Sequence, residues 1–207
     1  LKRMAKIDMS IEIELGVTGG EEDGVGSDDI DNAKLYTQPE DVLLAYDRLN
    51  SIGHFSVAAS FGNVHGVYKP GNVKLRPDIL KNSQDLVQKT HSTAANPLDL
   101  VFHGGSGSEK DKIEESLNYG VFKMNIDTDT QFAFSEAVGK FVEKNERAFK
   151  YQIDPDDGTP YKKLYDPRKW LRIGEEGVIA RLNEAYVDLK SAGKSLAVCD
   201  ADKAKCA

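Results

Sequence analysis

Two segments decide the fold: Phe55-Ser56-Val57-Ala58-Ala59-Ser60-Phe61-Gly62-Asn63-Val64-His65-Gly66 and Asp99-Leu100-Val101-Phe102-His103-Gly104-Gly105-Ser106-Gly107-Ser108. In each, a β-rich run ends in a histidine followed by glycine. A third run, Val121-Phe122-Lys123-Met124, ends in Asn125-Ile126-Asp127-Thr128-Asp129. Successive strands that place polar groups at their C-terminal ends describe one rim of a parallel barrel, the rim where such folds carry their sites. That rim reads as a metal site beside a phosphate site.

Outward from these segments, strands are predicted over residues 9–15, 55–60, 99–102 and 121–126. Between them the apolar spacing predicts helices. One begins at Thr37-Gln38-Pro39-Glu40, with Thr37 and Glu40 in capping-box spacing and Val42, Leu43, Tyr46 and Leu49 as its stripe. A second spans 77–89 with Ile79, Leu80, Ser83, Leu86 and Val87 inward. A third, capped by Ser108, carries Ile113 and Leu117 and stops at Gly120. A long helix is predicted over 129–149, with Asp129 as its N-cap, and an irregular linker over 151–167. The last helix, from Glu175 to Ala192, would turn Val178, Ile179, Leu182, Tyr186 and Leu189 inward and stop at Gly193.

Strand and helix alternating four times imply parallel pairing through right-handed crossovers, an α/β fold. Four such units are half of an eight-stranded barrel or a small open sheet. The opening Leu1-Lys2-Arg3-Met4 lacks an initiator Met and has no apolar run behind its charges, so it is not a signal peptide. A start in mid-protein is expected, which favours the half barrel. Residues 1–194 then form the domain, and 195–207 a disordered tail.

Composition is that of a globular protein, with 207 residues, 40% hydrophobic and 29% charged, enough for one domain with a core. A net charge of −7 favours neither nucleic acid nor an anionic membrane as partner. No run of about 18 apolar residues predicts a membrane span. Cys199 and Cys206 are the two cysteines. They lie in the tail and read as thiols of a reduced compartment, with the cytoplasm as the expected location.

Residues 9–15 alternate apolar and acidic, which fits either a half-exposed strand or one that turns Glu12 or Glu14 into a polar cavity. The stretch Gly16-Val17-Thr18-Gly19-Gly20-Glu21-Glu22-Asp23-Gly24-Val25-Gly26 brackets three acids with glycines. It suits a lid carrying a carboxylate over substrate, or a solvated acidic loop. His54 and His91 sit at element ends and fit structural roles. His65 and His103 instead follow buried-type runs and precede glycine, so imidazole ligation of a metal is the stronger reading. The glycines and serines from Gly104 through Gly105 and Ser106 to Ser108 run into a helix start, a main-chain nest suited to phosphate. Asn125 is read as cavity-facing at the end of its strand, a candidate partner for substrate hydroxyls. Of Asp127 and Asp129, either of which could cap the long helix, Asp129 is read as the cap.

At these motifs the chain resembles class II, metal-dependent fructose-bisphosphate aldolases. The matching stretches are Ile13-Glu14-Leu15-Gly16 with Thr18 to Gly24, Ala59 to Tyr68, Val101 to Ser108, Lys123 to Asp129, and Tyr165-Asp166-Pro167-Arg168. The resemblance implies a (β/α)8 TIM barrel, of which this chain would supply strands five to eight and the C-terminal helices. It implies that His65 and His103 ligate zinc, that Glu14 belongs to a neighbouring metal position, and that Glu21 lies near it. Glu22 would be the base for the C1 proton of dihydroxyacetone phosphate. Gly66, Gly104, Ser106, Asp127 and Thr128 would hold the C1 phosphate, with Gly105 in the same turn and Lys69 close by. Asn125 would contact substrate oxygens. In a homodimer, Arg168 would reach the distal phosphate of the neighbouring active site. A monovalent cation, sodium or potassium, near Gly66, Gly104 and Ser106 is also implied.

The implied reaction is reversible cleavage of fructose 1,6-bisphosphate to dihydroxyacetone phosphate and glyceraldehyde 3-phosphate, as in glycolysis. Members of the family extend further at the N-terminus, and that part carries a third zinc histidine and a catalytic aspartate. The isolated 207 residues are therefore expected to show little activity. Two alternatives remain: a tagatose-bisphosphate aldolase, separable by comparing cleavage of the two bisphosphates, and a truncated, non-catalytic phosphate-binding or subunit-interaction fragment.

Overall fold

A computed structural model describes residues 1–16, 19–22, 25–26, 36–65 and 74–195, with the main chain alone described at 19–22, 25–26 and 65. The chain divides into two compact units, Leu1–Asp127 and Thr128–Ala207. In the first unit the strands are β1 (Ile11–Leu15), β2 (Gly19–Glu22), β3 (Val25–Gly26), β4 (Phe55–Ala59), β5 (Val64–His65), β6 (Asp99–Phe102) and β7 (Val121–Met124). Its helices are α1 (Pro39–Leu49), α2 (Asp78–His91) and α3 (Lys110–Asn118).

The main sheet has the order β1-β4-β6-β7, and every neighbour pair in it is parallel. Chain order equals spatial order, with α1, α2 and α3 as crossovers, which is the succession of units in a barrel wall. Val57, Ala58 and Ala59 of β4 and Leu100, Val101 and Phe102 of β6 are all buried. Central parallel strands covered on both faces need such continuous apolar runs. At the end of β6, the Phe102 ring meets that of Phe61 edge to face at 4.6 Å.

Buried Gln84 of α2 locks helix to sheet. Its amide oxygen accepts the Leu98 N–H, and its NH2 donates to the Leu98 and Tyr119 carbonyls at 2.9 and 3.0 Å. Gly120 must be glycine here: its φ is +91° and an added Cβ would meet Gln84 Nε2 at 2.5 Å. The predicted stripe of α2 omitted Gln84 and included Leu86, which is half-buried.

The capping box expected at Thr37 and Glu40 does not form. The N-cap is Gln38, without a side-chain cap bond. Thr37 is buried instead and staples two strand ends, its hydroxyl donating to the Leu15 carbonyl and accepting the Ser60 N–H. Gly16 packs against this staple, where a Cβ would lie 3.0 Å from Ser60 and 3.1 Å from Thr37 Oγ1. Ser108 likewise is not the cap of α3, which begins at Lys110 after Glu109.

A smaller sheet has the order β3-β2-β5. The segment predicted as a lid loop thus carries strand, antiparallel between β2 and β3 and parallel between β2 and β5, with Gly20 paired to His65.

The second unit contains α4 (Thr128–Lys144), α5 (Glu146–Lys150), α6 (Lys162–Tyr165) and α7 (Pro167–Asp188). The single helix expected over 129–149 is broken at Asn145, whose amide donates to the Phe141 carbonyl and so takes up an acceptor at the end of α4. Asp129 is not an N-cap but lies in the first turn of α4, paired with Arg181 at 2.8 Å. The linker over 151–167 contains α6. Helix α7 begins at Pro167 rather than Glu175, because Asp166 caps it through the Arg168 N–H and proline suits the first turn.

Glycines of α7 let it approach α4 closely. A Cβ on Gly174 would meet the Phe134 ring at 2.3 Å, and one on Gly177 the Ala133 carbonyl at 2.5 Å. Ile179, Leu182 and Tyr186, expected inward, are exposed within the described residues. The chain reverses at Lys190 (φ 53°), before Gly193. No described helix is long and apolar enough to cross a membrane. Residues 196–207, with Cys199 and Cys206, lie outside the described residues, as do residues 27–35.

Candidate metal and phosphate site

Alternation along β1 puts Glu12 and Glu14 on its exposed face and Ile11, Ile13 and Leu15 on the other. The register sets Glu12 beside Ser56 and Glu14 beside Ala58 on β4. Small side chains at the middle strand leave room for longer ones to meet across it. They do so: Glu12 reaches His103, just past the end of β6, and Lys123 on β7.

His103 Nε2 lies 2.7 Å from Glu12 Oε1, and Lys123 Nζ donates to Glu12 Oε2 at 2.7 Å. Burial pushes the Glu12 carboxyl up, but the hydrogen bonds and charges of Lys123 and His103 outweigh it and hold the group below its ordinary value. A carboxylate oxygen accepts, so His103 Nε2 carries the proton in this hydrogen bond. The other ring nitrogen, Nδ1, lies 3.9 Å from Glu14 Oε1. That separation is too long for a hydrogen bond. An imidazole nitrogen beside a carboxylate is the donor chemistry of a divalent cation site.

Asn63, buried just before β5, fixes the main chain here. Its carbonyl oxygen accepts the Phe61 N–H, and its amide donates to the His103 carbonyl, both at 2.8 Å. The turn after His103 uses glycine for two reasons. Gly104 and Gly107 have φ of 61° and 71°, a region that side chains disfavour. At Gly105 the reason is space, since a Cβ would meet Met124 Cε at 2.3 Å. Ser106 is buried. Ser108 Oγ is buried without a hydrogen-bond partner in the described structure, the kind of orphan group that a bound oxyanion satisfies.

The predicted residues are placed as follows. Glu14, His103, Gly104, Gly105 and Ser106 come to the C-terminal rim of the main sheet. Asn125 differs from expectation: β7 ends at Met124, and Asn125 is exposed beyond it, held by its main chain, with its N–H donating to Phe102 and its carbonyl accepting from Gly105. The Gly105 N–H is thereby engaged within the chain. Asp127 is exposed at the end of the first unit. Thr128 opens α4, and Arg168, 87% exposed, opens α7 in a two-pronged pair with Asp166. Gly66 and Lys69 lie outside the described residues, as do the side chains of Glu21, Glu22 and His65. His91 pairs with Asp47 at 2.7 Å, a structural role. Among the described residues no three His, Cys, Asp or Glu side chains converge as a metal centre.

The family model "Fructose-bisphosphate aldolase class-II" matches residues 1–194. The chain belongs to the class II fructose-bisphosphate aldolase family. It is 56% identical over 192 residues to a fructose-bisphosphate aldolase of Edwardsiella ictaluri, covering 91% of this chain and 54% of the relative. To the fructose-bisphosphate aldolase class 2 of Escherichia coli K12 it is 55% identical over 194 residues, 92% of this chain and 54% of that one. A crystal structure of a Campylobacter jejuni fructose-bisphosphate aldolase superposes with a TM-score of 0.78 at 53% identity, over 92% of this chain and 54% of that one. The chain thus spans about half the length of these class II aldolases, and its four parallel β/α units are part of their barrel fold.

Sequence reasoning passed over Lys123 and Asn63 and left Glu12 undecided. A lysine inside a β-rich run, two strands from an alternating acidic one, is the signal for Lys123. Asn63 carried no local signal apart from its place before His65.

Proposed function

We propose that the protein to which this chain belongs is a zinc-dependent class II aldolase that cleaves fructose 1,6-bisphosphate reversibly to two triose phosphates. The observation that carries the proposal is His103. It stands at the strand-end rim with Nδ1 facing Glu14 at 3.9 Å, in a chain that matches the family over residues 1–194.

In this reading His103 and His65 hold zinc, with Glu14 and Glu21 beside it. Zinc, when bound, supplies Lewis-acid polarisation of the substrate ketone. Glu22 removes the C1 proton of dihydroxyacetone phosphate and returns it in the reverse direction, the work of a positioned carboxylate. The turn of Gly104, Gly105 and Ser106, with Gly66, Asp127, Thr128 and Lys69, binds the C1 phosphate. The buried, unpartnered Ser108 hydroxyl supports an oxyanion there. A sodium or potassium ion beside Gly66, Gly104 and Ser106 would offset that charge. Asn125 contacts substrate oxygens, and Arg168, exposed and held by Asp166, reaches the distal phosphate of a homodimer partner. Strands five to eight of the barrel are the assignment for the main sheet, and the cytoplasm is the proposed location.

The test is Glu22→Gln in the full-length protein. It is expected to abolish exchange of the C1 proton of dihydroxyacetone phosphate while zinc content stays at the wild-type level. Exchange at a near wild-type rate would remove Glu22 from the role of base.

A further inference from the structure

We propose that Glu12 and Lys123 are positioning residues that select Nδ1 of His103 as its metal-binding nitrogen and hold the ring in place. The inference rests on the reading of His103 as a metal ligand given above, and adds two residues to it.

A ligand histidine offers one lone pair, and the hydrogen bond at its other nitrogen decides which. Glu12 Oε1 occupies the Nε2 side of His103 at 2.7 Å. Glu12 itself is held from a third strand, since Lys123 Nζ binds its other oxygen at 2.7 Å. The three residues come from β1, the end of β6, and β7, so the couple spans the full width of the main sheet. His103 is largely enclosed, with its side chain 16% exposed against 29% for Glu12 and 45% for Lys123. The buried end of the chain is the ring, and the wet end is the ammonium. A charge relay of this kind orients the imidazole without adding a net negative charge beside the cation, because Lys123 offsets Glu12. Glu14, on the same face of β1, is left to face Nδ1. Two carboxylates one alternation apart thus divide the work: one behind the ring, one in front of it.

The experiment measures zinc affinity of the full-length protein by chelator competition, together with the visible absorption of its cobalt-substituted form. Glu12→Ala is expected to weaken zinc about 10–100-fold, the usual effect of losing the group behind a ligand histidine. Glu12→Gln, which retains an acceptor oxygen, should restore part of that loss. Lys123→Met should weaken zinc less than Glu12→Ala, and the double variant should be no weaker than Glu12→Ala alone, since Lys123 acts through Glu12. The cobalt band should shift in Glu12→Ala and Glu12→Gln, a change that a merely structural role would not produce. Apo-protein circular dichroism checks folding, and the near-isosteric Glu12→Gln keeps the test decisive should Glu12→Ala not fold. Wild-type zinc affinity and an unchanged cobalt band in the Glu12 variants, with zinc lost in His103→Ala, would overturn the proposal and leave the metal reading intact. Full zinc retention in His103→Ala would instead overturn the reading of His103, and the proposal with it.

Discussion

The main-chain N–H of Gly105 donates to the carbonyl of Asn125 at 2.9 Å, while the Asn125 N–H donates to Phe102 at 2.8 Å. These two bonds tie the glycine turn after β6 to the end of β7. The contact is close because Gly105 has no side chain: a Cβ there would approach Asn125 O to 3.0 Å and Met124 to 2.3 Å. Gly105→Ala must push the strand ends apart, with a stability loss of about 1–3 kcal/mol typical of overpacking. If this turn holds the C1 phosphate, KM for the bisphosphate should rise about tenfold, roughly 1.4 kcal/mol of binding. Steady-state kinetics check it, and an unchanged KM would separate the turn from phosphate binding.

Gln84 makes three buried hydrogen bonds to main-chain groups around β6 and Tyr119. Gln84→Leu keeps the volume but leaves a buried N–H and two carbonyls without partners. Each buried orphan costs about 1–3 kcal/mol, so a loss of about 3 kcal/mol is expected in urea denaturation. A loss below about 1 kcal/mol would mean that water replaces the amide there.

Gly174 and Gly139 offer a matched pair on facing helices. A Cβ on Gly174 meets the Phe134 ring at 2.3 Å, whereas one on Gly139 meets nothing within 4 Å. Gly174→Ala should therefore destabilise by about 1–3 kcal/mol. Gly139→Ala should stabilise by about 0.5–1 kcal/mol through helix propensity alone. Thermal midpoints moving in opposite directions would bear this out, and equal shifts would not.

Much of this was legible in the sequence, and what was not has a common cause. Strand periods, crossovers and the placement of His103 at a strand end follow from local pattern, and all appear in the fold. Asn125 lies past the end of its strand, where its carbonyl accepts from the Gly105 turn while its N–H still reaches Phe102 of β6. Thr37 had capping spacing, yet its hydroxyl found the Leu15 carbonyl and the Ser60 N–H, a choice made by the packing of strand ends rather than by helix chemistry. Ile179, Leu182 and Tyr186 form a plausible apolar stripe, but Gly174 and Gly177 allow closer helix approach on another face, and proximity won. Glu12 and Lys123 lie 111 positions apart. Only strand register brings them together, and no local window carries register.

Asp166 holds Arg168 in a two-pronged pair and caps α7, and the hydrogen bonds from Arg168, side chain first and then main chain, lower its carboxyl to about 2. A depressed carboxyl contributes stability above its unfolded pKa, and that contribution fades as pH falls toward the folded value. Asp166→Asn preserves a capping side chain but removes the charge. The thermal midpoint of the wild type should exceed that of Asp166→Asn near neutral pH, and the gap should close between about pH 4 and about pH 2. A gap independent of pH would show that the cap, and not the charge, matters.

The most direct measurement is fructose 1,6-bisphosphate cleavage by the full-length protein, before and after chelation, in wild type and His103→Ala. Wild-type activity should vanish on chelation and return with zinc, and His103→Ala should bind less than stoichiometric zinc and lose at least about 1000-fold in kcat/KM, roughly 4 kcal/mol of transition-state stabilisation. Cleavage that survives chelation, or a His103→Ala variant with full zinc and near wild-type turnover, would contradict the account.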